Sequence, residues 1–120
     1  MQVLFGQILY DKYDVEIPKS EKDKQPFTLK FACYEALGAF FQDEQNLSGE
    51  EKFKRGDLYL KIKSSPDPVD LTAEEVALLK KLIAKLYDPI LVSQIWRRLE
   101  GKEWFVEKKP PEKTDGKEGA

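Results

Sequence analysis

The stretch DLTAEEVALLKKLIAKLYDPILVSQIWRRLEG, residues 70–101, decides the architecture. Thr72 followed by Glu75 has capping-box spacing, in which hydroxyl and carboxylate each satisfy a free amide of the first turn. Leu71 and Val76 stand at the two positions of a hydrophobic staple. Glu74 and Glu75 lie at the positive end of the helix dipole, and Lys80, Lys81 and Lys85 lie toward its negative end. Asp88 then caps a second helix, with Pro89 at its first position. On a helical wheel Val76, Leu79, Leu82, Ile83, Leu86 and Tyr87 share one broad face, while Glu74, Lys81, Lys85 and Leu78 fall opposite. The second helix places Leu91, Val92, Ile95, Trp96 and Leu99 on one face and Ser93, Gln94, Arg97 and Arg98 on the other. Two amphipathic helices with almost nothing between them predict a tight αα-hairpin with facing apolar sides.

Working outward, SSPDPVD is a loop, since two prolines two residues apart do not fit a helix interior. Before it, Ser48 and Glu51 repeat the capping-box spacing and predict a helix from about Gly49. Within the same segment DLYLKIK alternates like a strand, with Leu58, Leu60 and Ile62 on one side. The cap is the more specific signal, so residues 56–63 are read as helix, with strand as the alternative. Thr28 offers an N-cap for TLKFACYEALGAFF, a helix of about four turns. Residues 2–17 are rich in Val, Ile, Leu, Phe and Tyr and end at Pro18. They predict one or two short strands, or a hairpin turning near Asp11–Lys12. The fold class expected is mainly α: about four helices ending in the tight hairpin, with a small N-terminal β element. Residues 1–107 form one small domain, with the β element and a charged connector in 1–24 and helices in 25–107. The tail at 108–120 has no apolar residue but the final alanine and is expected to be disordered.

Composition narrows the function classes. The chain has 120 residues, enough for one modest core. Twenty basic and 22 acidic residues leave a net charge of −2, with no global pull toward nucleic acid or anionic membrane. No apolar run approaches the length of a membrane span, and Gln7 and Asp11 interrupt the N-terminal run, which makes a poor secretory leader. One cysteine and no histidine rule out an intramolecular disulfide and the common zinc sites. Cys33 lacks the usual activating base and falls beside Leu29, Ala36, Leu37 and Phe40 on the wheel, so it reads as a small core residue. The acidic clusters lack calcium-loop spacing, and no glycine-rich phosphate loop is present. No cofactor or metal is called for, a non-enzymatic chain is expected, and the lone cysteine fits a cytoplasmic setting.

Two surface readings remain. In the first, Gln94, Arg97 and Arg98 read DNA from the last helix, since these side chains suit base edges and phosphates. Against it, residues 72–101 carry five basic and four acidic groups, Glu100 follows the arginine pair, and the corner is tighter than a helix-turn-helix. In the second, apolar side chains outside the expected core faces meet a protein partner or a second copy of the chain. Phe31, Tyr34 and Phe41 lie outside the wide arc of Leu29, Ala32, Cys33, Ala36, Leu37 and Phe40. Leu78 lies opposite its own apolar face. Trp104 and Phe105 belong to EWFV, the cluster beyond the last helix, which either folds back or docks.

The order PFTL, EAL, DEQNLSGEEKFKR and then DPVDLTAEEVALLKKLIAKLYDPILVSQIWRRLEG resembles small uncharacterised proteins encoded by tailed phages and prophages. The resemblance covers about residues 25–101 and carries no catalytic or binding residue. It implies a small protein made in a bacterial host and acting through contacts with phage or host proteins.

Overall fold

Each helix begins where its capping side chain stands. The computed structural model describes residues 1–103. Thr28 accepts from the Phe31 amide and opens α1, Leu29–Gly38. Ser48 accepts from the Glu51 amide and opens α2, Gly49–Ser64. The Thr72–Glu75 box is complete in both directions, at 3.1 and 2.9 Å, and opens α3, Ala73–Leu86. Asp88 accepts from the Leu91 amide and opens α4, Pro89–Leu99. The described chain is therefore mainly α, with α1 packed on α2 and α3, and α4 packed on α3. Only Tyr87 and Asp88 separate α3 from α4. The Trp96 indole donates to the Lys80 carbonyl at 3.1 Å, and the Lys80 ammonium lies over the Trp96 ring and pairs with Glu100, which pins the hairpin shut.

The segment 56–63 is helix. Leu58 and Ile62, four apart, are buried, whereas Leu60 points into solvent. A strand would have put all three on one face.

The N-terminal β element is real but fragmentary. β1, Gln2–Val3, pairs antiparallel with β2, Val69–Asp70, in the register Gln2↔Asp70 and Val3↔Val69. The loop reading of SSPDPVD therefore fails at its end: Val69 is drawn into pairing and is buried. Beyond β1 the chain makes only isolated bridges, at Ile8↔Thr28, Tyr10↔Glu16 and Pro18↔Pro26. Three extended segments meet in a closed ring of backbone bonds: Leu9 donates to Phe27, Phe27 to Ile17, and Ile17 to Leu9. Pro18 and Pro26 lack amides, so neither segment can lengthen into a full ladder. The turn near Asp11–Lys12 is present. The Asp11 carboxylate accepts from the Tyr13 and Val15 amides at 2.8 and 3.1 Å, and Asp14 takes a positive φ of 62°.

α1 is one turn shorter than its apolar run predicts. It stops at Gly38, and Ala39 turns extended. Phe40, expected on the buried arc with Leu37, is instead 96% exposed. The chain leaves the helix there because a short 3₁₀ turn, Gln42–Glu44, carries Glu44 to Arg55 of α2. Leu86, expected on the inner face of α3, is likewise exposed at the corner. The core is built from Phe5 and Leu9, from Leu29, Ala32, Cys33 and Ala36 of α1, and from Leu79, Leu82, Ile83, Ile95 and Leu99 of the hairpin. Trp104, Phe105 and the tail at 108–120 lie outside the described residues.

Candidate interaction surface

The aromatic side chains singled out on α1 and just beyond it sit at the edge of the core. Phe31 meets the Phe27 ring edge-on at 5.1 Å, and Tyr34 meets Tyr59 of α2 at 4.8 Å. Lysines lie over their rings: Lys19 over Phe31, Lys30 over Tyr34, and Lys85 over Phe41. Phe31, Tyr34, Phe41 and Leu78 are all half-buried against the core. The structure thus gives each of them intramolecular cover. Trp104 and Phe105 lie outside the described residues.

The polar face of α4 is not the solvent face its wheel suggests. Gln94 is completely buried. Its carboxamide accepts from the Tyr10 amide and donates to the Tyr10 carbonyl, both at 2.9 Å. Arg98 is half-buried and donates to the Gln7 carboxamide oxygen at 2.5 Å and to that of Gln94 at 3.4 Å. Burial lowers the Arg98 pKa from its ordinary value. The N-terminal segment therefore covers the Gln94 and Arg98 side of this face, Ser93 staying exposed, and the Gln94 carboxamide is held by Tyr10. Arg97 is exposed, and its Nε donates to the Glu103 carbonyl. Of the three candidate nucleic-acid contacts, one is closed off, one is occupied within the fold and one faces water.

A buried ion cluster escaped the sequence reading. Arg55 and Glu44, with side chains 4% and 10% exposed, make a two-pronged pair at 2.8 and 2.6 Å. Lys85 joins from α3 at 2.9 Å. The Arg55 hydrogen bonds, helped by Lys85 and opposed by burial, bring the Glu44 carboxyl down to about 2. The only sequence signal was an arginine on the inner face of α2, seven residues before Ile62. The cluster clamps the 41–47 loop across α2 and α3. Beside it lies an open hollow lined by residues 42–47, whose two acids are both paired, Glu44 with Arg55 and Lys85 and Asp43 with Lys85.

Cys33 is fully buried, and burial pushes its thiol far above the usual range, away from the reactive thiolate. Among the described residues no three His, Cys, Asp or Glu side chains gather as metal ligands. None of the described helices is long and apolar enough to cross a membrane.

Among the large apolar side chains left exposed, Phe40 at 96%, Tyr13 at 75% and Phe53 at 72% stand out, with Val15, Leu60, Leu4 and Met1 at about half exposure. Comparison with protein families, with curated proteins and with solved structures finds no match to this chain.

Proposed function

We propose that this chain is a non-enzymatic protein–protein interaction protein of phage or prophage origin. It acts in the cytoplasm of a bacterial host, in virion assembly or in modulating a host factor. The resemblance over residues 25–101 supports the setting. One observation carries the interaction: Phe40 is 96% exposed beside the half-buried Phe41. Leaving such a ring in water forgoes about 1.5–3 kcal/mol of burial. Aromatic side chains are enriched at interface centres, where a partner supplies that burial.

The test is affinity purification of the tagged chain from host cells with and without infecting phage, alongside Phe40→Ser. A partner captured by the wild type and lost with Phe40→Ser, the variant remaining folded, supports the reading. No specific partner, or one that Phe40→Ser still captures, refutes it.

A further inference from the structure

The outer face of α2 carries a pattern that needs a second helix to make sense. Its inner stripe is Arg55, Leu58 and Ile62, all buried. Opposite them stand Phe53 and Leu60, exposed at 72% and 55%. They are seven residues apart and so lie on one line along the helix. Gly56 lies between them, and a Cβ built there meets nothing within 4 Å, so this part of the helix surface is low and open. One flank of the same face reads Glu50, Lys54, Asp57, Lys61, alternating in sign at helical spacing.

We propose that α2 is a self-association helix, on which two copies of the chain pair antiparallel about a twofold axis. The flank charges select both occupant and direction. In a twofold antiparallel pair the same flank of each helix meets in reverse order. Lys54 then faces the partner's Asp57, and Glu50 faces the partner's Lys61, with each pair repeated by symmetry. At the centre Phe53 covers the partner's Leu60, and the two Gly56 positions allow close approach. A parallel pair would set this flank against the partner's other flank, where Lys52 and Lys63 offer no acid to Lys54 or Lys61.

Within the chain these groups are loosely held. Asp57 and Glu50 make no ion pair among the described residues. Lys54 reaches Glu51 only at 3.5 Å, with its side chain 66% exposed. Lys61 already holds Glu75 at 2.7 Å, so Lys54 and Asp57 carry most of the selectivity. The other flank has Lys52 and Lys63 with no acid, and Lys63 lies over the Tyr59 ring at 5.7 Å, on the side toward α1. The two copies therefore close along the alternating flank. A face one helix long is smaller than a standard interface, so the dimer is weak and concentration-dependent. This inference goes beyond the partner reading, because Phe40 lies outside α2.

Analytical ultracentrifugation of the full chain from about 10 µM to about 1 mM tests it, since weak complexes populate in that range. The wild type should move from monomer toward dimer, less so at high salt. Phe53→Ser with Leu60→Ser should stay monomeric with an unchanged circular dichroism spectrum. Lys54→Asp alone, or Asp57→Lys alone, should weaken the dimer by about tenfold. The double swap, Lys54→Asp with Asp57→Lys, should restore it, because only the antiparallel pairing keeps opposite charges facing. A wild type monomeric throughout, a dimer that survives Phe53→Ser with Leu60→Ser, or a double swap that fails to rescue would each overturn the proposal. A monomer that still captures a partner through Phe40 would sink this inference alone.

Discussion

Replacing Gln94 with leucine isolates the one buried amide that ties the N-terminal segment to α4. Leucine has similar bulk and leaves little cavity, so the loss is mostly hydrogen bonding. Gln94 is 0% exposed and makes both bonds to Tyr10 at 2.9 Å. Gln94→Leu leaves the Tyr10 N–H and C=O without partners. A buried polar group left unpaired costs about 1–3 kcal/mol. Tyr10 is half-buried, so water reaches part of it, and the two groups together should cost about 2–3 kcal/mol. A domain of this size has a total stability of roughly 5–15 kcal/mol, so the fall is a sizeable fraction. With a urea slope of about 1–1.5 kcal/mol/M, the midpoint should drop by about 1.3–3 M. Hydrogen exchange should speed up first at Leu9, whose amide bonds Phe27 in the three-segment ring, and at Tyr10. A variant within about 0.5 kcal/mol of wild type, the range of an ordinary surface substitution, would refute the buried tie. It would also reopen Gln94 as a solvent-facing residue.

Glu44→Gln should destabilise by about 2 kcal/mol, since it neutralises one half of a buried charged pair while keeping one acceptor. Arg55 holds the Glu44 carboxyl down to about 2, below its ordinary 4.5, so its contribution is full above about pH 4.5 and is lost as pH falls toward 2. Denaturation midpoints of wild type and variant should therefore converge on acidification; a gap that stays constant to pH 2 counts against the pairing. Thr72→Ala should cost about 1 kcal/mol, read as a lower midpoint at unchanged slope, because the Glu75 amide loses its acceptor. Cys33 should react with a thiol reagent only at the rate of unfolding, and fast labelling of the native chain would contradict its burial.

Helix starts were legible in the sequence because capping is local chemistry. Thr28, Ser48, Thr72 and Asp88 each accept an amide three residues on, and that spacing can be counted without a fold. The tight hairpin follows from Asp88-Pro89 set directly behind a complete apolar period, and the burial of Leu79, Leu82, Ile83, Ile95 and Leu99 follows from helical spacing. The cap at Ser48 also outweighed the short alternation at Leu58, Leu60 and Ile62, because a cap names a backbone geometry and three alternating residues do not.

The tertiary structure decided which faces meet water. A wheel gives the angle between side chains but not the segment that will cover each angle. Gln94 looks polar and outward until the N-terminal segment, 84 residues away, brings Tyr10 against it. Phe40 looks like core until Glu44 is pulled to Arg55 and the chain must leave α1 early. Val69 looks like loop until β1 arrives from the other end of the chain. Each of these depends on pairing between separate elements, 11 residues apart for Glu44 and Arg55 and 84 for Tyr10 and Gln94, where the gain is a buried polar group satisfied or an apolar side chain covered. Local propensity carries no record of such pairs, so the exposed stripe of Phe53 and Leu60 emerged only once Leu58 and Ile62 were seen facing inward.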